Sequence, residues 1–322
     1  MTRTMRWCAA CLAAALLAAP AMAQNYPNKP IRWIVPFPPG GSADVVSRTL
    51  GARLSDNIGQ PVIVENRAGA SGAIGLDSVV KSAPDGYTVA LGAPGTLTIN
   101  VHMTRIPFDP LVDLVPIARL AIVPVVLAAS AGQPFASVAE LIRYARANPG
   151  KLSFGTTGTG SMQHLVGEQL KILAGIEMVH VAYKGSGPAA SDLAGGQLPL
   201  AVLDLTSALP HQRSGKIRIL GVTGAQRTIS APELPTVAEQ GFPGFDATGW
   251  FGLLGPVGIP AEIVARLNAE VVRALQAPDV RERVLATGVE PNPGSADEFN
   301  RAMRAEHAKW GKLIRDAGIK PQ

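Results

Sequence analysis

The stretch VPFPPGGSADVVSR, Val35 to Arg48, limits the chain's fold more than any other. An apolar run stops at a Pro/Pro/Gly/Gly turn that has to deliver directly into a helix. Ile31, Trp33 and Val35 alternate with Arg32 and Ile34, which suits a strand buried on at least one face. Pro36, Pro38 and Pro39 stiffen its exit, because each fixes φ and pushes its predecessor towards extended geometry. Gly40 and Gly41 then let the backbone turn, and Ser42 or Asp44 caps a helix opening near Ala43, with Val45, Val46 and Leu50 on its inner face. Taken alone, the stretch reads in two ways. It is punctuation in a βα loop, or it is a rigid corner whose free N–H groups, at the positive end of a helix dipole, seat a small anion.

The same corner recurs along the chain. Pro61 to Glu65 is a second short strand, followed by a loop loosened by Gly69, Gly72 and Gly75 and a helix carrying Leu76, Val79 and Val80. Pro84-Asp85-Gly86 turns the chain into a third strand, Tyr87 to Leu91, which leaves through Gly92-Ala93-Pro94-Gly95-Thr96. Strands alternating with helices predict a mainly parallel, doubly wound sheet with ligands at the strands' carboxyl ends. Pro116 to Ser130 is apolar, too long for one ordinary strand and broken by Pro124, so it reads as a strand crossing between two lobes. A second series follows. Ser137 and Glu140 form a capping box for a helix burying Val138, Leu141, Ile142 and Ala145. Lys151 to Gly155 is a strand that turns through Thr156 to Ser161 into a helix bearing Val166, Leu170 and Leu173. Met178 to Tyr183 leads through Lys184 to Pro188 into a helix ending at Leu193, and Leu198 to Leu203 and Ile217 to Val222 add two strands. Gly249 to Leu254 is the return crossing. Pro260 starts a helix with Ile263, Val264, Leu267, Val271 and Leu275 inward. Ser295 and Glu298 box the last helix, whose Phe299, Met303, Trp310, Leu313 and Ile314 are expected on the first lobe. Two crossings predict two hinged lobes: residues 24–122 with 248–322, and residues 123–247.

Arg3 and Arg6 precede an apolar run from Trp7 to Ala19, and Pro20 leads to Ala21-Met22-Ala23. A basic start, a short apolar middle and an A-x-A site define a secretory signal peptide over residues 1–23, with cleavage expected after Ala23 and export to a bacterial periplasm. Both cysteines, Cys8 and Cys11, lie inside it, so the exported chain has neither disulfides nor thiol chemistry. Loss of the two arginines lowers the formal charge from +5 to +3, too little for a nucleic-acid argument.

Few groups suit catalysis. His102, His164, His180, His211 and His307 show no metal-binding spacing, and no metal or cofactor is expected. Gly155 to Ser161 lacks the ending of a phosphate loop, and Ser161 with His164 is no triad. Three groups near the predicted corners read both ways. His164 donates to a bound carboxylate or is bonded locally. Asp204 receives an amino group or a bridging water, or caps the helix after it, and Tyr183 lies on the cleft rim or packs. Neutral, amide-rich corners from two lobes describe a binding cleft better than an active site.

VPFPPGGSADVVSR, NRAGASGAIG, APDGYT, YKGSGPAASDLAGGQ, SGKIRILGVTGAQR, LPTVAEQGFPGF and WFGLLGPVGIP together resemble the Bug-type extracytoplasmic solute-binding receptors of tripartite tricarboxylate transporters, from about Tyr26 to the C-terminus. The resemblance implies a two-lobed periplasmic binding fold, type II-like, that closes like a flytrap on a small organic carboxylate and presents it to membrane permease subunits. It implies a first-lobe grip of Phe37, Pro39, Gly40 and Gly41 with Ala93 and Thr96 opposite. The second lobe offers Thr157, Gly158, Ser161 and His164, with Tyr183 and Asp204 at the edge. Two positions depart from many relatives: Thr157 stands where serine is common, and Leu97, not histidine, follows Thr96. A monomer without enzymatic activity is expected. The competing readings are a receptor that reports its ligand to a membrane histidine kinase, and a periplasmic carboxylate-processing enzyme.

Overall fold

The computed structural model describes residues 26–319; the signal peptide and its cleavage site lie outside the described residues. Strand β1 (Ile31–Val35) runs into α1 (Ser42–Ile58), then β2 (Val62–Asn66), α2 (Ala73–Val80) and β3 (Thr88–Gly92). A π-turn at Gly95–Ile99 and a 3-10 turn at Asn100–His102 follow, and then the consecutive strands β4 (Leu114–Val123) and β5 (Val125–Ser130). The second series is α3 (Val138–Ala147), β6 (Ser153–Thr156), α4 (Met162–Ala174), β7 (Val179–Ala182), α5 (Ser186–Ala194), β8 (Leu200–Asp204), α6 (Leu205–Arg213) and β9 (Ile217–Val222). The chain returns through β10 (Gly249–Pro256) and closes with α7 (Ala261–Gln276), α8 (Pro278–Ala286), β11 (Glu290–Gly294) and α9 (Ala296–Asp316).

Two sheets result, with strand orders β11-β4-β10-β3-β1-β2 and β7-β6-β8-β5-β9. This is the α/β, two-sheet architecture expected, with one correction: each sheet is mixed, not mainly parallel. The βα units supply parallel pairs, β1 with β2 and β3, and β6 with β7 and β8. The crossing strands enter from the other sheet and therefore run against their neighbours, β10 against β3 and β4, and β5 against β8 and β9. Pro124 alone separates β4 from β5. Having no N–H, it cannot continue the ladder, and its carbonyl accepts instead from Leu205 N at 2.9 Å. The two crossings are tied together by buried Thr223, whose hydroxyl lies 3.1 Å from Val125 O and 2.7 Å from Ala247 O. Beside it Gly249 pairs with Val123 so closely that a Cβ would stand 2.7 Å from the Val123 carbonyl.

Packing departs from the periodicity at several positions. Val45 is 38% exposed and Leu173 53% exposed, because the faces of α1 and α4 that meet the sheets are those of Val46, Leu50 and Leu54, and of Leu165, Val166 and Leu170. Neither Ser42 nor Asp44 caps α1; its N-cap is Gly41, with no side-chain bond. The Ser295/Glu298 capping box is complete, whereas Ser137 caps α3 while Glu140 reaches past it to Ala136 N at 2.7 Å.

The largest correction concerns α9. Phe299 and Met303 pack with Ile34, Leu76, Trp250 and Leu254 of the first sheet, as expected. Trp310 and Ile314 pack instead with Leu165, Val166, Leu127 and Phe154 of the second. At 21 residues the helix is about 31 Å long, enough to lie across both. The segment after β3 does the same on a smaller scale: Leu97 joins the first sheet's cluster, Ile99 and Met103 the second's.

Candidate functional site

At the first sheet, the loops leaving the carboxyl ends of β1, β2 and β3 converge. A Cβ at Gly72 would run into the Thr96 methyl and lie 3.4 Å from Pro36. Phe37 is part-buried against the core, while Pro39, Gly40 and Gly41 are exposed, Gly40 with φ +88°. Asp44 shapes this corner from behind. Its Oδ2 accepts from Gly40 N at 3.0 Å, and its Oδ1 from Asn66 Nδ2 at 2.9 Å and Arg48 Nε at 3.0 Å. Burial would raise this carboxyl, but the donors Arg48, Gly40 N and Asn66 together hold it below the usual range. The first α1 amide with an acceptor is Val45 N, on Gly41 O at 3.1 Å, so the preceding turn presents open N–H groups at the dipole's positive end. Opposite, Ala93 is part-buried and Thr96 buried, its hydroxyl donating to Ala93 O at 2.9 Å.

At the second sheet, the loops after β6, β7 and β8 converge likewise. Gly185 N donates to Thr157 O at 3.1 Å, and Gly158, φ +142°, lies against the Tyr183 carbonyl. Thr157 Oγ1 donates to Gln163 Oε1 at 2.8 Å, Gln163 Nε2 to Asp204 Oδ1 at 2.5 Å, and Ser186 Oγ to Asp204 Oδ2 at 3.0 Å. Asp204 occupies the N-cap position of α6 but makes no capping bond; its side chain turns to this network. Burial pushes its carboxyl upward against the lowering donations from Ser186 and Gln163.

Ser161 caps α4, accepting from His164 N at 3.1 Å and donating to Gly158 O at 2.7 Å. His164 is only 5% exposed. Its Nδ1 accepts from Gly160 N at 3.3 Å, and its ring stacks on His180 at 3.9 Å. These contacts hold Nδ1 and the ring face locally. Burial, then the charge of Lys171, lowers His164 to about 4; burial, then His164, lowers His180 to about 4. Tyr183 likewise turns inward, donating to Asp192 Oδ2 at 2.7 Å; burial first, then that bond, raises it to about 12.

The two groups of loops touch. Gly95 approaches the Gly160 carbonyl at 3.9 Å from its virtual Cβ, and a Cβ on Gly160 would strike Asn100. The loops after β3 and β6, which carry Thr96 and Thr157 to Ser161, therefore meet at one seam. A separate concavity of about 380 Å³ at the crossing strands, lined by Ile122, Pro124, Arg227, Asp246 and Glu290 among others, contains none of them. Gln163, Ser186 and Asn66, which orient the candidates, were not singled out from the sequence. Their roles depend on partners 18 to 41 residues away, and nothing local marks them.

The family model described as tripartite tricarboxylate transporter family receptor (TctC) matches residues 46–319. Protein BugT of Bordetella pertussis is 39% identical over 323 residues, covering 99% of each chain. Among solved structures, Rpa4515 of R. palustris with adipate superposes with a TM-score of 0.84 at 38% identity, covering 92% of this chain and 100% of that one. MatC of Rhodopseudomonas palustris with bound malate gives a TM-score of 0.79 at 31% identity, covering 90% and 100%.

Proposed function

Because this chain belongs to the tripartite tricarboxylate transporter family of periplasmic solute-binding receptors, we propose that it captures a small organic carboxylate in the seam between its two sheets and hands it to the permease of such a transporter. The observation that carries this reading is the convergence of amide-rich strand ends from two sheets on one seam, joined by crossing strands that pass the chain only twice. One end of the ligand is held by the open amides of residues 41–44, with Phe37, Pro39, Gly40, Ala93 and Thr96 beside it. Thr157, Gly158 and Ser161 form the facing wall, with Asp204 at its edge. His164 and Tyr183 shape that wall from within.

The lobes are residues 24–122 with 248–322, and residues 123–247, so the crossing strands are the hinge. Contacts to both lobes stabilise the closed form, and closure follows from that difference in affinity. The protein acts in the periplasm after removal of residues 1–23, as a monomer, and performs no chemistry on its ligand. Among the described residues, no cluster of His, Cys, Asp and Glu suits a metal ion.

A thermal-shift screen of the chain from Gln24 onward tests the reading. A ligand that binds only the folded state raises the melting temperature by mass action. Carboxylates are expected to raise it, and neutral sugars are not. Shifts confined to sugars, or turnover of a carboxylate, would overturn the proposal.

A further inference from the structure

The strand orders place one strand of each sheet on the far side of the crossings from the candidate loops. In the first sheet β3 and β1 lie on one side of β4 and β10, and β11 lies on the other. In the second, β8 and β6 lie on one side of β5, and β9 on the other. Behind the crossings, the start of β11 meets the loop that follows β9. Glu290 Oε1 accepts from the Thr228 hydroxyl and, at 3.0 Å, from Ser230 N, across 62 and 60 residues of chain. Both Glu290 and Thr228 are buried, and both line the concavity of about 380 Å³ at the crossing strands. Each side of the contact is fixed to its own lobe. Glu290 pairs with Ile122 of β4, and Arg119 Nε donates to Asn292 O at 3.3 Å. Arg227, next to Thr228, pairs with Glu239 at 3.0 Å and donates to Pro232 O at 3.2 Å. The contact therefore joins the lobes rather than bracing either one.

We propose that Glu290, with Thr228 and Ser230 N, is a clasp behind the hinge that favours the open receptor, so that Glu290 and Thr228 tune carboxylate affinity without touching the ligand. The inference rests on the receptor reading and the lobe boundaries above. The crossings act as one pivot, because buried Thr223 ties Val125 O to Ala247 O. A rotation about them that draws the loops after β1 and β3 towards those after β6 and β8 draws β11 away from the loop after β9, like the two ends of a lever. In this structure the clasp is made and the 39–41 turn stands exposed, as the open form requires. Closure on a ligand then has to break hydrogen bonds to a buried carboxylate, which opposes it. Apparent affinity falls with the fraction of molecules able to close, so Glu290 and Thr228 are positioning residues that act through that fraction.

Thr228→Val removes the donor and keeps the volume. Calorimetry is run with adipate, malate and the carboxylate that gives the largest thermal shift. Affinity for those that bind should rise about tenfold in the variant, although loss of a buried hydrogen bond lowers its denaturation midpoint. Glu290→Gln, which keeps an acceptor oxygen, should show a smaller gain in the same direction. Thr228→Val added to Glu290→Ala should bring no further gain, since one contact is lost only once. A second readout needs no ligand. The chain from Gln24 onward has no cysteine, so Ile63→Cys on β2 and Val179→Cys on β7, exposed positions at the outer edges of the two sheets on the ligand side, take spin labels. The population at short label distance, the closed form, should grow in Thr228→Val. A lower midpoint with unchanged or weaker carboxylate affinity in both single variants would overturn the clasp and leave the receptor reading intact. No thermal shift from any carboxylate would remove the receptor reading itself, and unchanged label distances would in that case overturn the clasp as well.

Discussion

At the residue scale, the corner before α1 separates two glycines that look equivalent in sequence. Gly40 has φ +88°, so any side chain there strains the backbone, whereas Gly41, at φ −80° and ψ 171°, sits in ordinary extended geometry with open space around its virtual Cβ. Gly41→Val is therefore the cleaner probe of the site: stability should change by under about 0.5 kcal/mol while carboxylate affinity falls at least tenfold. Equal affinity in the variant would move the site elsewhere. The stacked pair His164 and His180 makes a second prediction. Both are lowered to about 4, so the fold holds them neutral while the unfolded chain takes up protons below about 6.5. Their contribution is fully present above pH 6.5 and is lost as pH falls towards 4, by about 1–3 kcal/mol in total. Urea unfolding at pH 7 and pH 4.5 measures the loss, and His164→Asn with His180→Gln should flatten it.

Glu306 has the opposite sign. Burial raises it to about 7 even though Trp250 Nε1 donates to it at 2.8 Å, so the folded state favours the protonated form and loses that advantage as pH rises through 7. Glu306→Gln should stabilise the protein at pH 8, by about 1–2 kcal/mol, and leave it nearly unchanged at pH 4, below the unfolded carboxyl's own range. An equal effect at both pH values would show that charge is not the cause. None of these three behaviours is written locally. His164 was readable as a candidate by its place early in a helix, but its Nδ1 is committed by Gly160 N and its ring by His180, sixteen residues on.

At the element scale, strands and helices followed the sequence closely because hydrophobic period, caps and Pro/Gly punctuation act over a few residues. Ser295 with Glu298, Pro124 between β4 and β5, and the apolar face of α7 all behave as their neighbours dictate. What an element packs against is decided at a distance. The apolar stripe of α9 was legible from Phe299 to Ile314, but not that its first half serves one sheet and its second half the other. That division implies that Trp310→Ala damages the second sheet's core. The cost expected is about 3–5 kcal/mol, the range for truncating a buried aromatic, read as a lower denaturation midpoint at unchanged pH. A loss under 1 kcal/mol would mean that α9 does not carry the second sheet.

At the scale of the whole molecule, the sheets are joined by the two crossings, by α9 and by the segment running from Leu97 to Met103, so neither buries its core independently. Unfolding should therefore be a single transition. Trp33 lies in the first core and Trp310 in the second, so tryptophan fluorescence and far-UV circular dichroism followed on the same unsubstituted protein report on both cores together. Coincident denaturation curves are expected; midpoints separated by more than about 0.5 M urea would show two independent units.

The sequence by itself determined which segments are strands and helices, that the chain crosses between two units twice, and that its loops are rich in free amides. Those properties arise from backbone sterics and side-chain polarity within a few residues. Only the tertiary structure decided the mixed direction of the sheets, the double duty of α9, and what the side chain of Asp204 is bonded to. Each of these depends on a partner far along the chain: a crossing strand meeting βα neighbours, two cores within reach of one helix, and Asp204 brought against Gln163 from 41 residues away.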